Sequence, residues 1–118
     1  MKNGHLEQFL DTGWYTEATL YLDGYVYWCE AQSDINTGLV YFFVDRWAAE
    51  NEKDTYYHSI LESDGTLKWN RIFEVEDKNL DIVKKRFLEA PIFNGKTFWQ
   101  VEKNIAWLDE GSPIIKTD

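Results

Sequence analysis

The chain has 118 residues, which is enough for one domain with a sizeable core and too few for two. Hydrophobic residues make up 44% of it and aromatic residues 17%, a composition that excludes a disordered tail. The single Cys cannot form an internal disulfide, the N-terminal residues lack a signal peptide's apolar run, and no stretch approaches the roughly 20 apolar residues of a membrane span. We therefore expect a cytoplasmic protein with one domain over residues 1–113 and a loose tail over 114–118.

The net charge of −9 is concentrated in the first half of the chain, where residues 1–60 hold ten acids against three bases. No Lys or Arg occurs between Lys2 and Arg46. The acids in that interval are Glu7, Asp11, Glu17, Asp23, Glu30, Asp34 and Asp45. Such a surface repels nucleic-acid phosphates and anionic membranes and attracts basic proteins. The charge therefore predicts no direct nucleic-acid or membrane binding, and it indicates either a basic protein partner or solubility alone.

The first predicted element is a short helix or irregular lead-in over residues 4–12, where apolar residues recur at helical spacing. The next stretch, Trp14 to Ala31, places two runs of β-branched and aromatic residues on either side of Asp23-Gly24. This dipeptide readily adopts the positive φ angles of a type I′ turn. The stretch therefore predicts a β-hairpin with a two-residue loop.

A two-residue loop fixes which residues of the hairpin face each other. The first side carries the pairs Leu22 with Tyr25, Leu20 with Tyr27, and Ala18 with Cys29. The second side carries the pairs Tyr21 with Val26, Thr19 with Trp28, and Glu17 with Glu30. We expect the apolar first side to be buried, whereas the second side mixes aromatic residues with two carboxylates set opposite each other. Helices packed over the second side would reverse this assignment.

The middle of the chain predicts further strands. Residues 32–38 (QSDINTG) are a turn-rich connection, and Leu39 to Trp47 is a nearly continuous apolar run typical of a central strand. Residues 48–54 are polar and too few for a stable helix. A second hairpin is predicted from Thr55–Glu62 and Thr66–Val75 around Asp64-Gly65, in a register that places His58 opposite Arg71.

Helical spacing replaces strand alternation over residues 78–90. Asp77 or Asn79 can serve as the N-cap of this helix, because either side chain can accept hydrogen bonds from the first free amides. Basic residues near its end suit the helix dipole. Pro91 then stops the helix.

A second helix is predicted after Thr97-x-x-Gln100, which matches a capping box and precedes apolar residues at helical spacing through Leu108. Asn94-Gly95 could instead close a hairpin over residues 92–99. With strands first and helices after them, we expect an α+β domain. Its antiparallel sheet has about five strands, from two Asp-Gly hairpins and a central strand, and two C-terminal helices pack on one face.

No catalytic constellation is found in the sequence. Cys29 faces the predicted core, so we expect a structural thiol rather than a reactive one. His58 opposite Arg71 is a candidate general base, although a strand His near aromatic residues is more often structural. The chain contains no CxxC, HxxxH, EF-hand or phosphate-binding glycine pattern. We therefore expect no metal site, no cofactor and no enzymatic activity.

The second side of the first hairpin is the most informative candidate site. Like charges directly opposite in a sheet cost a few tenths to about 1 kcal/mol, so Glu17 opposite Glu30 requires an explanation. One interpretation is that a neighbouring strand supplies Arg46, Lys68 or Arg71. The other is an exposed acidic and aromatic surface that binds a partner. The residues of that candidate surface are Tyr15, Glu17, Tyr21, Trp28, Glu30 and Asp34.

Two classes of function stay open, besides a structural module without a separable site. The first is a small acidic, non-enzymatic binding protein that occludes a basic, nucleic-acid-handling partner. Toxin-immunity proteins and phage-encoded inhibitors are analogous in size, charge and aromatic content. The second is a small-ligand-binding or enzymatic domain with a pocket near His58 and Arg71. The long aromatic strands are also compatible with a symmetric homodimer that would hide the candidate surface.

Overall fold

The computed structural model describes residues 1–48 and 70–108. The elements are α1 (Leu6–Asp11), a 3-10 turn (Gly13–Tyr15), β1 (Ala18–Leu22), β2 (Tyr25–Ser33), β3 (Val40–Ala48), β4 (Asn70–Asp77), α2 (Leu80–Glu89), α3 (Phe98–Val101) and β5 (Ala106–Leu108). The strands form one antiparallel sheet in the order β4-β3-β2-β1-β5. The predicted α+β class with a five-stranded antiparallel sheet is confirmed.

The first hairpin has the predicted turn and register. Asp23 and Gly24 have φ angles of 48° and 86°, as a type I′ turn requires. The strand pairs run from Leu22 with Tyr25 to Ala18 with Cys29. The side predicted to form the core is buried, since Ala18, Leu20, Leu22, Tyr27 and Cys29 are all at most 3% exposed.

The helices and the 3-10 turn pack on that same side of the sheet, which we call the covered face. Phe87 of α2 is at its centre, with its ring centroid 4.9 Å from Phe42 and 6.1 Å from Trp14. Phe9 of α1 stacks on Phe98 of α3 at 5.4 Å. Burying a large apolar side chain contributes about 1.5–3 kcal/mol, so these aromatic contacts are a major source of the stability of the domain.

The predicted central strand and first C-terminal helix are also confirmed. β3 pairs with β2 on one side and β4 on the other, after a tight connection in which the Asp34 amide donates to the Leu39 carbonyl at 2.9 Å. Asn79 is the N-cap of α2, and its side chain accepts hydrogen bonds from the Asp81 and Ile82 amides. None of the helices in the described ranges has the length and apolar character needed to cross a membrane.

Residues 92–99 satisfy both of the expectations drawn from the sequence. Asn94 and Gly95 have φ angles of 55° and 80°, and the backbones of Phe93 and Lys96 exchange hydrogen bonds of 3.0 and 3.1 Å. A minimal two-residue hairpin is therefore present. The capping box follows immediately, since Thr97 and Gln100 cap α3 reciprocally.

The prediction that this second helix continues to Leu108 is wrong. α3 ends at Val101, and β5 pairs with β1 through Thr19 with Leu108. The edge of β1 offers backbone N–H and C=O groups, and the extended residues of β5 can form hydrogen bonds with them. Trp107 also fits closely between two glycines, because a Cβ built on Gly4 or Gly13 would lie 2.5 Å from its ring. Tertiary packing therefore overrides the local helical pattern.

Several predictions lie outside the described residues. These are the turn at Asp64-Gly65 with its first strand Thr55–Glu62, the loop from residue 49 onward, His58, Lys68, and the chain beyond 108 with its predicted domain end and tail. The second strand of that hairpin, predicted over Thr66–Val75, overlaps β4, which pairs with β3.

Candidate functional site

The second side of the first hairpin continues across β3 and β4, because side chains alternate between the two sides of a sheet. We call this side the charged face. Its described residues include Glu17, Thr19, Tyr21, Val26, Trp28, Glu30, Gln32, Tyr41, Phe43, Asp45, Trp47, Arg71, Glu74 and Glu76, together with Ala106 and Leu108 of β5. None of these residues belongs to the main core cluster, in which the described helices pack against the other side of the sheet.

One half of the charged face is apolar. Val26 and Trp47 are 0% and 2% exposed, and Tyr21 and Trp28 pack against them while remaining partly buried. The candidate residues Tyr21 and Trp28 therefore belong to a small second cluster. They are held in place and still present part of their rings at the surface.

The other half contains the predicted carboxylate pair. Glu17 has a φ angle of 64° at the start of β1, and its carboxyl group lies against that of Glu30. Burial raises the pKa of Glu30, the neighbouring Glu17 and Asp45 raise it further, and a hydrogen bond from Gln32 lowers it. That bond joins Gln32 Nε2 to Glu30 Oε2 at 3.3 Å. Glu30 therefore holds a proton more readily than a free Glu does.

Arg71 reaches the charged face, where it binds Asp45. Its Nε and Nη2 donate to the two carboxylate oxygens of Asp45 at 2.9 and 3.2 Å. Asp45 is only 4% exposed, so it requires a cation of this kind. The hydrogen bond to Asp45 is the main reason that the pKa of Arg71 is raised.

Tyr41 and Phe43 complete this network. Arg71 Nη1 donates to Tyr41 Oη at 3.1 Å, and the Arg71 guanidinium carbon is 3.9 Å from the centroid of the Phe43 ring. Tyr41 in turn donates to Glu74, a bond that raises the pKa of Tyr41. The register places Phe43 beside Glu30, so the network adjoins the carboxylate pair.

The cations proposed to neutralise the pair are placed elsewhere or lie outside the described residues. Arg46 lies on the covered side of the sheet, with its guanidinium carbon 4.6 Å from the centroid of the Tyr25 ring. Arg71 is bonded to Asp45, and Lys68 is not described. Within residues 1–48 and 70–108, no ion pair involves Glu17 or Glu30.

The remaining candidate residues lie apart from the pair. Tyr15 is in the 3-10 turn and packs against the main core, with its ring edge-on to Trp14 at 5.1 Å. Asp34 is exposed in the β2–β3 connection, where its Oδ1 accepts from the amides of Asn36 and Thr37 at 2.8 and 3.4 Å. The structure thus brings together Glu17, Tyr21, Trp28 and Glu30 and leaves Tyr15 and Asp34 outside this group.

Sequence reasoning missed the part of the charged face that β3 supplies. Tyr41, Phe43 and Asp45 alternate along Leu39–Trp47, a nearly continuous apolar run that predicts a central strand but does not show which residues share a face with Glu30. The tight β2–β3 connection is the signal that could have found them. A short connection of this kind fixes the pairing of Trp28 with Asp45.

Two chemical features can be checked in the described residues, a metal-binding cluster and a reactive thiol. No group of three His, Cys, Asp or Glu side chains among them is placed to hold a metal ion. Burial raises the pKa of the Cys29 thiol, which makes it a poor nucleophile. Surface cavities of about 470 and 280 Å³, beside Trp107 and Trp99, contain none of the charged-face residues in their walls.

Comparison of the chain with family models, curated proteins and solved structures found no match.

Proposed function

We propose that this protein is a small acidic, non-enzymatic binding protein whose charged face recognises a basic protein. The observation that supports this best is the Glu17–Glu30 pair, which has no ion pair within the described residues and shares its face of the hairpin with Tyr21 and Trp28. The cation on the same face, Arg71, is already bonded to Asp45.

A basic side chain placed between the two carboxylates would reverse an unfavourable contact. Its charge would lower the pKa of Glu30 and offset the repulsion between Glu17 and Glu30. Tyr21 and Trp28 would supply contact area and cation–π attraction at low entropic cost. The acids over the first 45 residues would steer the partner during its approach.

This mode of binding suits an inhibitor or immunity-type protein that acts in the cytoplasm. Carboxylates on the charged face would occupy positions where a nucleic-acid-handling enzyme normally binds phosphates. The enzyme would be blocked by occlusion, without any chemical step.

The test is capture of partners from the native host's lysate at low and high salt, with two charge-reversal variants of equal net charge. One variant is Glu17→Lys with Glu30→Lys on the charged face. Its control is Glu7→Lys with Asp11→Lys, at exposed positions of α1. We expect one basic protein to be recovered by the wild type and by the control, to be lost with the charged-face variant, and to be released as salt rises.

Circular dichroism and sedimentation of each bait establish that it is folded and give its oligomeric state. Equal recovery by both variants would contradict the proposed surface. A blank from folded, monomeric wild-type bait at both salt concentrations would contradict the proposed function. A dimeric wild-type bait with the charged face in its interface would show that this face binds a second copy of the chain. The proposal of a basic partner would then be contradicted.

A further inference from the structure

A second constellation lies on the opposite side of the sheet, at the turn end of the first hairpin. Arg46 of β3 pairs with Tyr27 of β2, and its guanidinium group packs over the ring of Tyr25. Over the described ranges, no carboxylate forms an ion pair with Arg46. The cation–π contact with Tyr25 leaves the N–H donors of this guanidinium available to an acceptor.

Tyr27 adds a second donor at the same place. Its side chain is 0% exposed, and its ring packs 4.8 Å from that of Phe93. Burial raises the pKa of Tyr27, and the neighbouring Arg46 lowers it by hydrogen bonding and by its charge. Arg46 can only donate, so the O–H of Tyr27 has no acceptor among the residues that the structure describes. A buried hydroxyl donor without an acceptor is unusual and destabilising, so its presence requires an explanation.

We propose that Arg46 and Tyr27 form a binding site for an oxyanion, a carboxylate or a phosphate group. Both side chains are donors, and what the site lacks is an acceptor. An oxyanion would accept from the Arg46 fork and from Tyr27 Oη–H together. A water molecule would satisfy the hydroxyl but leave the charge of Arg46 uncompensated.

The two side chains differ in how far solvent reaches them. Arg46 is only partly buried, whereas Tyr27 is fully buried. An anion would therefore meet Arg46 first, and the side chains around Tyr27 would have to shift for it to reach the hydroxyl. Asp23 in the hairpin turn acts on Tyr27 with the opposite sign of charge, and it would weaken the binding of any anion. The site lies across the sheet from the charged face and does not depend on the proposed function.

The experiment is a titration of the protein, followed by NMR, with sodium phosphate and separately with sodium acetate. Sodium chloride at matched ionic strength is the control. We expect a saturable shift of the Arg46 Nε–H signal, and of the Tyr27 backbone amide signal that every variant retains, with at least one of the two anions. Saturation by phosphate alone assigns the site to phosphate groups, and saturation by acetate alone assigns it to carboxylates.

Three variants test the residues, and a fourth is the control. Tyr27→Phe and Arg46→Met should each weaken binding roughly tenfold or more, because each removes a hydrogen bond to a charged group. Asp23→Asn keeps a favourable residue for the type I′ turn and should strengthen binding about two- to fivefold. Glu7→Gln makes the same change in net charge on α1 and should leave the affinity unchanged.

Thermal stability gives an independent measure. In chloride, Tyr27→Phe should raise the melting temperature by a few degrees, because it removes an unsatisfied hydroxyl. At saturating anion this gain should disappear. The proposal is overturned if neither anion gives a saturable shift beyond chloride, or if Tyr27→Phe and Arg46→Met bind as the wild type does. It is also overturned if Tyr27→Phe lowers the melting temperature in chloride.

Discussion

The two sides of the sheet differ in burial and in charge, and β2 contributes residues to both. On the covered face its Tyr27 and Cys29 are fully buried among apolar and aromatic neighbours. On the charged face its Trp28 and Glu30 lie among acids, an ion pair and partly exposed rings. The covered face therefore supplies the stability that allows the charged face to keep an unfavourable carboxylate pair.

The largest difference between the two faces should come from Phe87→Ala. Phe87 is 0% exposed and contacts Trp14 and Phe42, so its truncation should cost about 3–5 kcal/mol in the free energy of unfolding. Urea denaturation measures this loss. Trp99→Ala is the control, because Trp99 is 51% exposed and should cost far less. Similar losses in the two variants would break the assignment of stability to the covered face.

An intermediate effect is expected from Arg71→Met on the charged face. It leaves the Asp45 carboxylate buried without its cation, which should cost about 1–3 kcal/mol because Arg71 itself is 35% exposed at its side chain. Asp45→Asn combined with Arg71→Met should recover part of that loss in a double-mutant cycle. Arg86→Met, at an exposed position of α2, is the control. Additive losses would show that the two side chains are not coupled.

The smallest effect, and one of opposite sign, is expected from Glu30→Gln. Removing one charge of the pair should stabilise the fold at pH 7 by up to about 1 kcal/mol. The pKa of Glu30 is raised above its ordinary 4.5, so the native state binds this proton more tightly than the unfolded chain does. The protonated Glu30 carboxyl group therefore contributes to the stability of the fold at low pH, and this contribution is lost as the pH rises through the raised pKa.

Urea denaturation of wild type and Glu30→Gln at several pH values from 4 to 7 tests this prediction. The stabilisation should grow with pH, and Asp11→Asn on α1 should show no such growth. A destabilising Glu30→Gln at pH 7 would mean that the ionised carboxylate is favourable in the native state. The comparison between the faces would then have to be abandoned.

The sequence is sufficient for the elements whose signals are local. Asp23-Gly24 requires positive φ angles and fixes the whole register of β1 with β2, and Asn79 caps α2 through its own side chain. The segment after Thr97 is different. Ile105 and Leu108 satisfy helical spacing, but so short an apolar segment also suits a strand. The choice is made by the edge of β1 and by the glycines around Trp107, which no local pattern shows.

The same limit applies to the candidate site. The proximity of Glu17 to Glu30 could be deduced because one turn fixes the hairpin register as far as Ala18 with Cys29. The Arg71–Asp45 ion pair depends on a register shift between Val44 and Asp45 where β3 meets β4. Irregularities of this kind depend on the packing of the whole sheet. Arg71 could therefore be named from the sequence as a candidate cation, but its binding to Asp45 could not be predicted.

The buried Cys29 gives the molecule an internal reporter. It is the chain's only cysteine, lies between Ala18 of β1 and Val44 of β3, and is 0% exposed. A thiol reagent can reach it only when these strands separate, so the labelling rate follows the equilibrium constant for opening of the sheet. A ligand that binds the closed sheet would slow that rate. The wild-type chain can therefore be screened for ligands by counting one modification in a mass spectrum, without any added tag or dye.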